Sequence, residues 1–130
     1  MQREHELLLD GVEQIRLIAG ELPSLSEADR ADLQADVVAF LRGTLIPHAK
    51  EEERELYPAV ARQLGHPDAT APMIYDHLAI GEETANLAEA NPADLVRLQE
   101  LLYGLYALIR VHFWKEEELY LPLVERAAAH

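Results

Sequence analysis

His112-Phe113-Trp114-Lys115-Glu116-Glu117-Glu118-Leu119-Tyr120-Leu121-Pro122 and its earlier echo, His48-Ala49-Lys50-Glu51-Glu52-Glu53-Arg54-Glu55-Leu56-Tyr57-Pro58, decide how this 130-residue chain is read. In each copy a glutamate follows the histidine by four residues and a proline follows it by ten, inside a segment of strong helix formers. On an α-helix residues i and i+4 lie on one face a turn apart, so an imidazole and a carboxylate can converge on one ion. For a single copy, a surface ion pair is the plainer reading. Each copy also has a further histidine upstream, His5 at 43 residues before His48 and His77 at 35 residues before His112. The chain therefore reads as two halves of one form: histidine, helical hairpin, His-x-x-x-Glu.

Working outward, the apolar residues mark four amphipathic helices. From Gln2 to about Leu22 the stripe is Leu8, Val12, Ile15, Ala19 and Leu22, with His5 one step earlier on the same face. Pro23 ends that helix, and Ser26 with Asp29 resembles a capping box. The second helix runs to about Leu64 with Leu33, Val37, Leu41, Leu45, His48, Glu52, Leu56 and Ala59 on one side, and Pro47 is expected to kink it. After the turn-rich Gly65–Pro72 stretch, a third helix from about Ala71 to Ala90 carries Met73, His77, Ile80, Thr84 and Leu87. Asn91 is expected to cap a fourth helix bearing Leu95, Leu98, Leu102, Leu105, Ile109, His112, Glu116, Leu119 and Leu123. Short connections between long helices make neighbours antiparallel, so the expected fold is an all-α, up-down-up-down four-helix bundle, a single domain spanning 1–130.

Composition narrows the function classes. A formal charge of −13 argues against nucleic acid and anionic membrane surfaces as partners. With no cysteine, disulfides, thiolate metal sites and Fe–S clusters are excluded, so any metal must be held by nitrogen and oxygen. No apolar run approaches the ~20 residues of a membrane span, and a cytoplasmic location is expected. Nothing points to a Ser or Cys nucleophile, a phosphate loop or a nucleotide fingerprint, so no catalytic residue and no organic cofactor site is singled out.

His5, His48, Glu52, His77, His112 and Glu116 occupy seam positions that the aliphatic residues around them define as buried. Burying such groups unpaired costs several kcal/mol each, against a whole-domain stability of ~5–15 kcal/mol. Either the six satisfy one another as a hydrogen-bonded network, or they ligate metal, and one imidazole per helix favours metal. After His48 the run Glu51-Glu52-Glu53 is ambiguous, but Lys115 stands at i+3 after His112. The glutamate common to both halves is thus the i+4 residue, Glu52 and Glu116. Glu51, Glu53, Glu117 and Glu118 are read as solvated flank; Tyr57, Tyr103, Tyr106 and Tyr120 as packing; His66 and His130 as solvated. Phe113 or Trp114 is expected to wall the site. Four histidines and two carboxylates exceed the needs of one ion; two ions ~3.5–4 Å apart, bridged by the glutamates, would use all six. Mixed imidazole and carboxylate ligation suits iron, manganese or zinc.

These residues resemble the hemerythrin-like family of small His/His/Glu cation-binding bundles. The likeness spans the chain: His5, His48-x-x-x-Glu52 with Leu56-Tyr57-Pro58, Asp76-His77, and His112-Phe113-x-x-Glu116-Glu117 with Pro122. It implies two iron ions at the six positions and a small ligand: dioxygen, nitric oxide or peroxide. Two departures matter. Oxygen-carrying hemerythrins have a further histidine four residues after the third-helix ligand, where this chain has Gly81, and end with a histidine and an aspartate five residues apart, where it has His112 and Glu116. One coordination position is left open, with neither Tyr75 nor Glu82 aimed at it by helical phase. Sensing, iron storage or donation, and peroxidase or oxidase turnover are then live alternatives to oxygen carriage, and any protein partner is unspecified.

Overall fold

A computed structural model describes residues 2–129, with side-chain environments from Glu4 to Arg126; His130 lies outside the described residues. Four helical rods form the fold. The first is α1 (Gln2–Glu21), which ends in a 3-10 turn at Leu22–Ser24 where Pro23 withdraws a backbone donor. The second is α2 (Glu27–Phe40), a π turn (Leu41–Leu45) and α3 (Ile46–Leu64) in sequence. The third is α4 (Ala71–Glu89), and the fourth joins α5 (Leu95–Lys115), a π turn (Glu116–Tyr120) and α6 (Leu121–Ala129). Among the described residues no strand forms and no helix is long and apolar enough to cross a membrane.

Caps decide where the rods begin and end. The Ser26 hydroxyl accepts from the Asp29 amide at 3.1 Å, the expected cap of α2. Gly65 closes α3 at φ 72°, a left-handed residue that lets the His66 amide reach back to the Ala61 carbonyl. The start of α5 corrects the sequence reading. Asp94, not Asn91, is the cap, accepting from the Arg97 amide at 3.1 Å, while Asn91 folds an Asx turn onto the Ala93 amide at 2.9 Å. Gln34, buried on α2, donates to the Leu87 and Ala90 carbonyls and seals the end of α4.

At Pro47, where a kink is expected, the chain forms a π turn just before the proline. A proline ring clashes with the carbonyl four residues earlier. Here the preceding turn widens, and the Ile46 amide bonds to Leu41 five residues back. The same device recurs before Pro122, where the Leu121 amide bonds to Glu116. Each π turn inserts an extra residue, so the buried stripe shifts by one. Leu119, expected inside, is therefore 57% exposed, and Leu121 takes its place in the core.

Two apolar layers result. The larger runs along α1, α2, α4 and α5 and ends at Leu8, Leu45, Ile80, Ile109 and Phe113; the smaller comprises Leu56, Tyr57, Val60, Met73 and Leu121. In chain order, His48 and Glu52 on α3, His77 on α4, and His112 near the end of α5 with Glu116 opening the next π turn fall where the two layers meet, with His5 just before Leu8. A polar chamber thus sits between two aliphatic plugs near one end of an up-down-up-down bundle.

Candidate metal centre

All six expected residues come together there. His5, His48, Glu52, His112 and Glu116 are buried, and the side chain of His77 is 7% exposed. Donor atoms of His5, His48 and Glu52 lie within 4.8 Å of one another, as do those of Glu52, His77, His112 and Glu116, so Glu52 belongs to both groups.

The four imidazoles turn the same nitrogen inward. His5 Nε2 is 3.1 Å from Glu52 Oε2 and 3.6 Å from Glu116 Oε1; His48 Nε2 is 3.4 Å from Glu52 Oε2. Across the chamber, His77 Nε2 and His112 Nε2 are 3.0 Å apart, and His112 Nε2 is 3.5 Å from Glu116 Oε2. Phe113 stacks on the His5 ring at a centroid distance of 4.7 Å and meets His48 edge-on, so it is the apolar wall; Trp114 is exposed.

Two flank residues depart from their expected role. Glu53 Oε1 lies 3.2 Å from His77 Nδ1, and Glu117 Oε1 lies 3.5 Å from His5 Nδ1. Both face the bundle because the inner face of a helix is wider than one i, i+4 row: Glu53 adjoins Glu52 on the α4 side, and the π turn at Glu116 swings Glu117 inward. Glu51 and Glu118 are exposed as expected.

Tyr57 is the residue that sequence reasoning missed. It packs in the smaller core layer, yet its hydroxyl donates to Glu116 Oε2 at 2.7 Å and lies 3.1 and 3.2 Å from the Nε2 atoms of His77 and His112. Its placement a turn after Glu53 was the available signal, masked by the ordinary use of tyrosine in cores. Tyr75 and Glu82 are exposed, and so is His66.

The electrostatics are those of a crowded, desolvated set. Burial lowers His48 and His112, but the carboxylates around them, Glu52 and Glu4 for His48 and Glu116 and Asp76 for His112, together outweigh it and leave both pKa values raised. His77 is lowered, by burial and then by the nearby His112. Burial raises Glu116 above the ordinary carboxylate range, whereas for Glu52 the imidazoles of His48 and His5 beside it together overcome burial and hold it below that range. Burial, reinforced by Glu116 and Glu52, raises Tyr57. Two like carboxylates in one dry chamber are pushed apart in this way.

A test of fit for a metal comes from what is left over. His48 Nε2, Glu52 Oε1 and Glu116 Oε1 are buried with no hydrogen-bond partner among the described residues. Orphaned acceptors of this kind are costly unless a cation meets them. The spacing agrees, since two donors ~2.1 Å from one ion at right angles are about 3 Å apart, as the His77 and His112 nitrogens are. The donor set, imidazole nitrogen and carboxylate oxygen without sulfur, fits a first-row divalent metal.

The family model described as the hemerythrin HHE cation binding domain matches residues 1–124. No curated protein and no solved structure gives a match.

Proposed function

The chain belongs to the hemerythrin HHE cation-binding family, and on that premise we propose that it holds two iron ions and binds dioxygen, nitric oxide or peroxide at a position its side chains leave open. The observation that carries the reading is the set of buried inward atoms, His48 Nε2, Glu52 Oε1 and Glu116 Oε1, that no donor among the described residues satisfies. His5, His48 and Glu52 would hold one ion; His77, His112 and Glu116 the other, with Glu52 shared. When bound, such a pair supplies the redox capacity with which a small oxygen or nitrogen ligand is held or reduced.

The chain's own side chains set the conditions. Phe113 and the aliphatic plugs keep bulk water from the imidazoles, which strengthens every charge interaction inside. Gly81 leaves open space beside His77, where a Cβ would meet nothing within 4 Å. The groove lined by Ala49, Glu53, His77 and Gly81 gives the group around His77 and His112 room for a ligand. The Tyr57 oxygen reaches the same group. It stands as a hydrogen-bond donor that steadies Glu116 or, with a cation bound, would serve as a seventh ligand residue through its oxygen.

A second reading, metal storage or donation, draws on Glu4 and Glu51, exposed carboxylates beside His48 where a cation could be handed on. Metal analysis with aerobic and anaerobic optical spectra separates the readings. Two irons per chain, with near-ultraviolet absorption that shifts on adding azide or peroxide, is the expected result. Rapid loss of iron to a weak chelator with no azide response would favour metal handling. An unchanged spectrum and melting temperature on chelator treatment would leave a metal-free polar network instead.

A further inference from the structure

The four imidazoles share a feature on their outer side. Each turns Nδ1 away from the chamber toward a carboxylate from another rod: His112 to Asp76 Oδ2 at 2.9 Å, His77 to Glu53 Oε1 at 3.2 Å, His5 to Glu117 Oε1 at 3.5 Å and His48 to Glu4 Oε1 at 3.7 Å. The first two are hydrogen bonds; the other two are approaches without one. Asp76 also accepts from Lys115 Nζ at 2.7 Å, which holds it between the imidazole and the surface.

We propose that Asp76 and Glu53 are positioning residues of the metal centre, holding His112 and His77 with the proton on Nδ1 and Nε2 free to donate, with Glu117 and Glu4 as weaker counterparts on His5 and His48. A carboxylate accepting the far N–H of a ligating histidine fixes its tautomer and ring angle and makes it a stronger donor. The two hydrogen-bonded carboxylates serve the half of the centre where Gly81 supplies no ligand. Electron-rich imidazoles there offset a donor that the backbone does not carry. The order of effect follows the distances: Asp76, then Glu53, then Glu117, then Glu4.

This inference rests on the metal-centre reading, and the experiment separates the two. Zinc affinity of the full chain is measured by competition with a chromophoric chelator, and histidine Nδ1–H signals are recorded by NMR on the diamagnetic zinc-loaded protein. Asp76→Asn and Glu53→Gln are each expected to weaken zinc binding 10–100-fold, in line with outer partners elsewhere, and to shift or broaden the Nδ1–H signal of the imidazole concerned. Glu118→Gln, with the same charge change at an exposed position, is the control and is expected to match the parent. Asp76→Glu, which keeps the charge, is expected to recover part of the affinity. A parent chain that binds no zinc overturns the metal-centre reading and this inference with it. A parent that binds, beside Asp76→Asn and Glu53→Gln variants of equal affinity and unchanged Nδ1–H signals, overturns the inference alone. So does an equal loss in Glu118→Gln, which would reduce the effect to net charge.

Discussion

The hydroxyl of Tyr57 donates to Glu116 Oε2 at 2.7 Å, joining a residue of the apolar plug on α3 to a carboxylate at the first position of a π turn on the opposite rod. Tyr57→Phe keeps the ring and removes only this donor. In the metal-free protein the loss leaves a buried carboxylate oxygen with one partner fewer, which is expected to cost about 1–3 kcal/mol by denaturant titration. In the iron-loaded protein a change in visible absorption would identify the phenol oxygen as a ligand. An identical spectrum would limit it to bracing Glu116.

His77 and Glu116 belong to the group that Glu52 shares with the other half. His77→Ala and Glu116→Ala are expected to drop metal content from two ions per chain to one or fewer, read by elemental analysis. Full loading of both variants would contradict the ligand assignment.

Gly81 lies one turn after His77, and a Cβ built on it meets nothing within 4 Å. Gly81→His is expected to fold at least as well as the parent, since glycine costs a helix ~1 kcal/mol relative to the best formers. With a third imidazole on the His77 face, azide binding to the loaded protein should slow or weaken. Azide kinetics equal to the parent's would place the open position elsewhere.

Loading should depend on pH with a definite sign. Metal displaces protons from imidazole, and the folded pKa values of His48 and His112 are raised above the ordinary 6.5. Zinc affinity is therefore expected to be full above those raised values and to fall as the pH drops through them. Stability of the metal-free protein moves the other way for the same two groups. Their contribution is fully present below pH 6.5 and is lost as pH rises through the folded values. His77, lowered, opposes them, and the lowered Glu52 and Asp76 contribute above the ordinary carboxylate range and lose that contribution on acidification. Melting temperatures with and without zinc should converge at acid pH and separate as it rises; a constant gap would contradict this linkage.

Phe113 stacks on His5 and separates the chamber from the larger apolar layer. Phe113→Ala is expected to cost about 3–5 kcal/mol through the cavity it leaves and to admit water beside His5, altering the spectrum of the loaded centre. An unchanged metal spectrum would undercut its role as the wall.

Much of this was legible in the chain because helical phase is local. The spacing of Leu8, Val12, Ile15 and Ala19, and of Leu98, Leu102, Leu105 and Ile109, is enough to assign an inner face, and a histidine or glutamate on that face has to point at the other rods. The four-rod fold and the meeting of His5, His48, Glu52, His77, His112 and Glu116 follow from that rule. The π turns lay outside it. Both halves carry a proline ten residues after the histidine, yet the widened turns precede Pro47 and Pro122, and Pro58 sits inside α3 without one.

The sequence by itself determined which face of each helix is apolar and which titratable residues interrupt it, because both depend only on residues within a few turns of one another. Only the tertiary structure decided that Tyr57 joins the centre, that Leu119 yields its place to Leu121, and that Asp76, Glu53, Glu117 and Glu4 stand behind the imidazoles. Those relations pair atoms from different rods, and an inserted residue in one helix turns every later side chain by about a hundred degrees. No periodicity within a single helix carries that information.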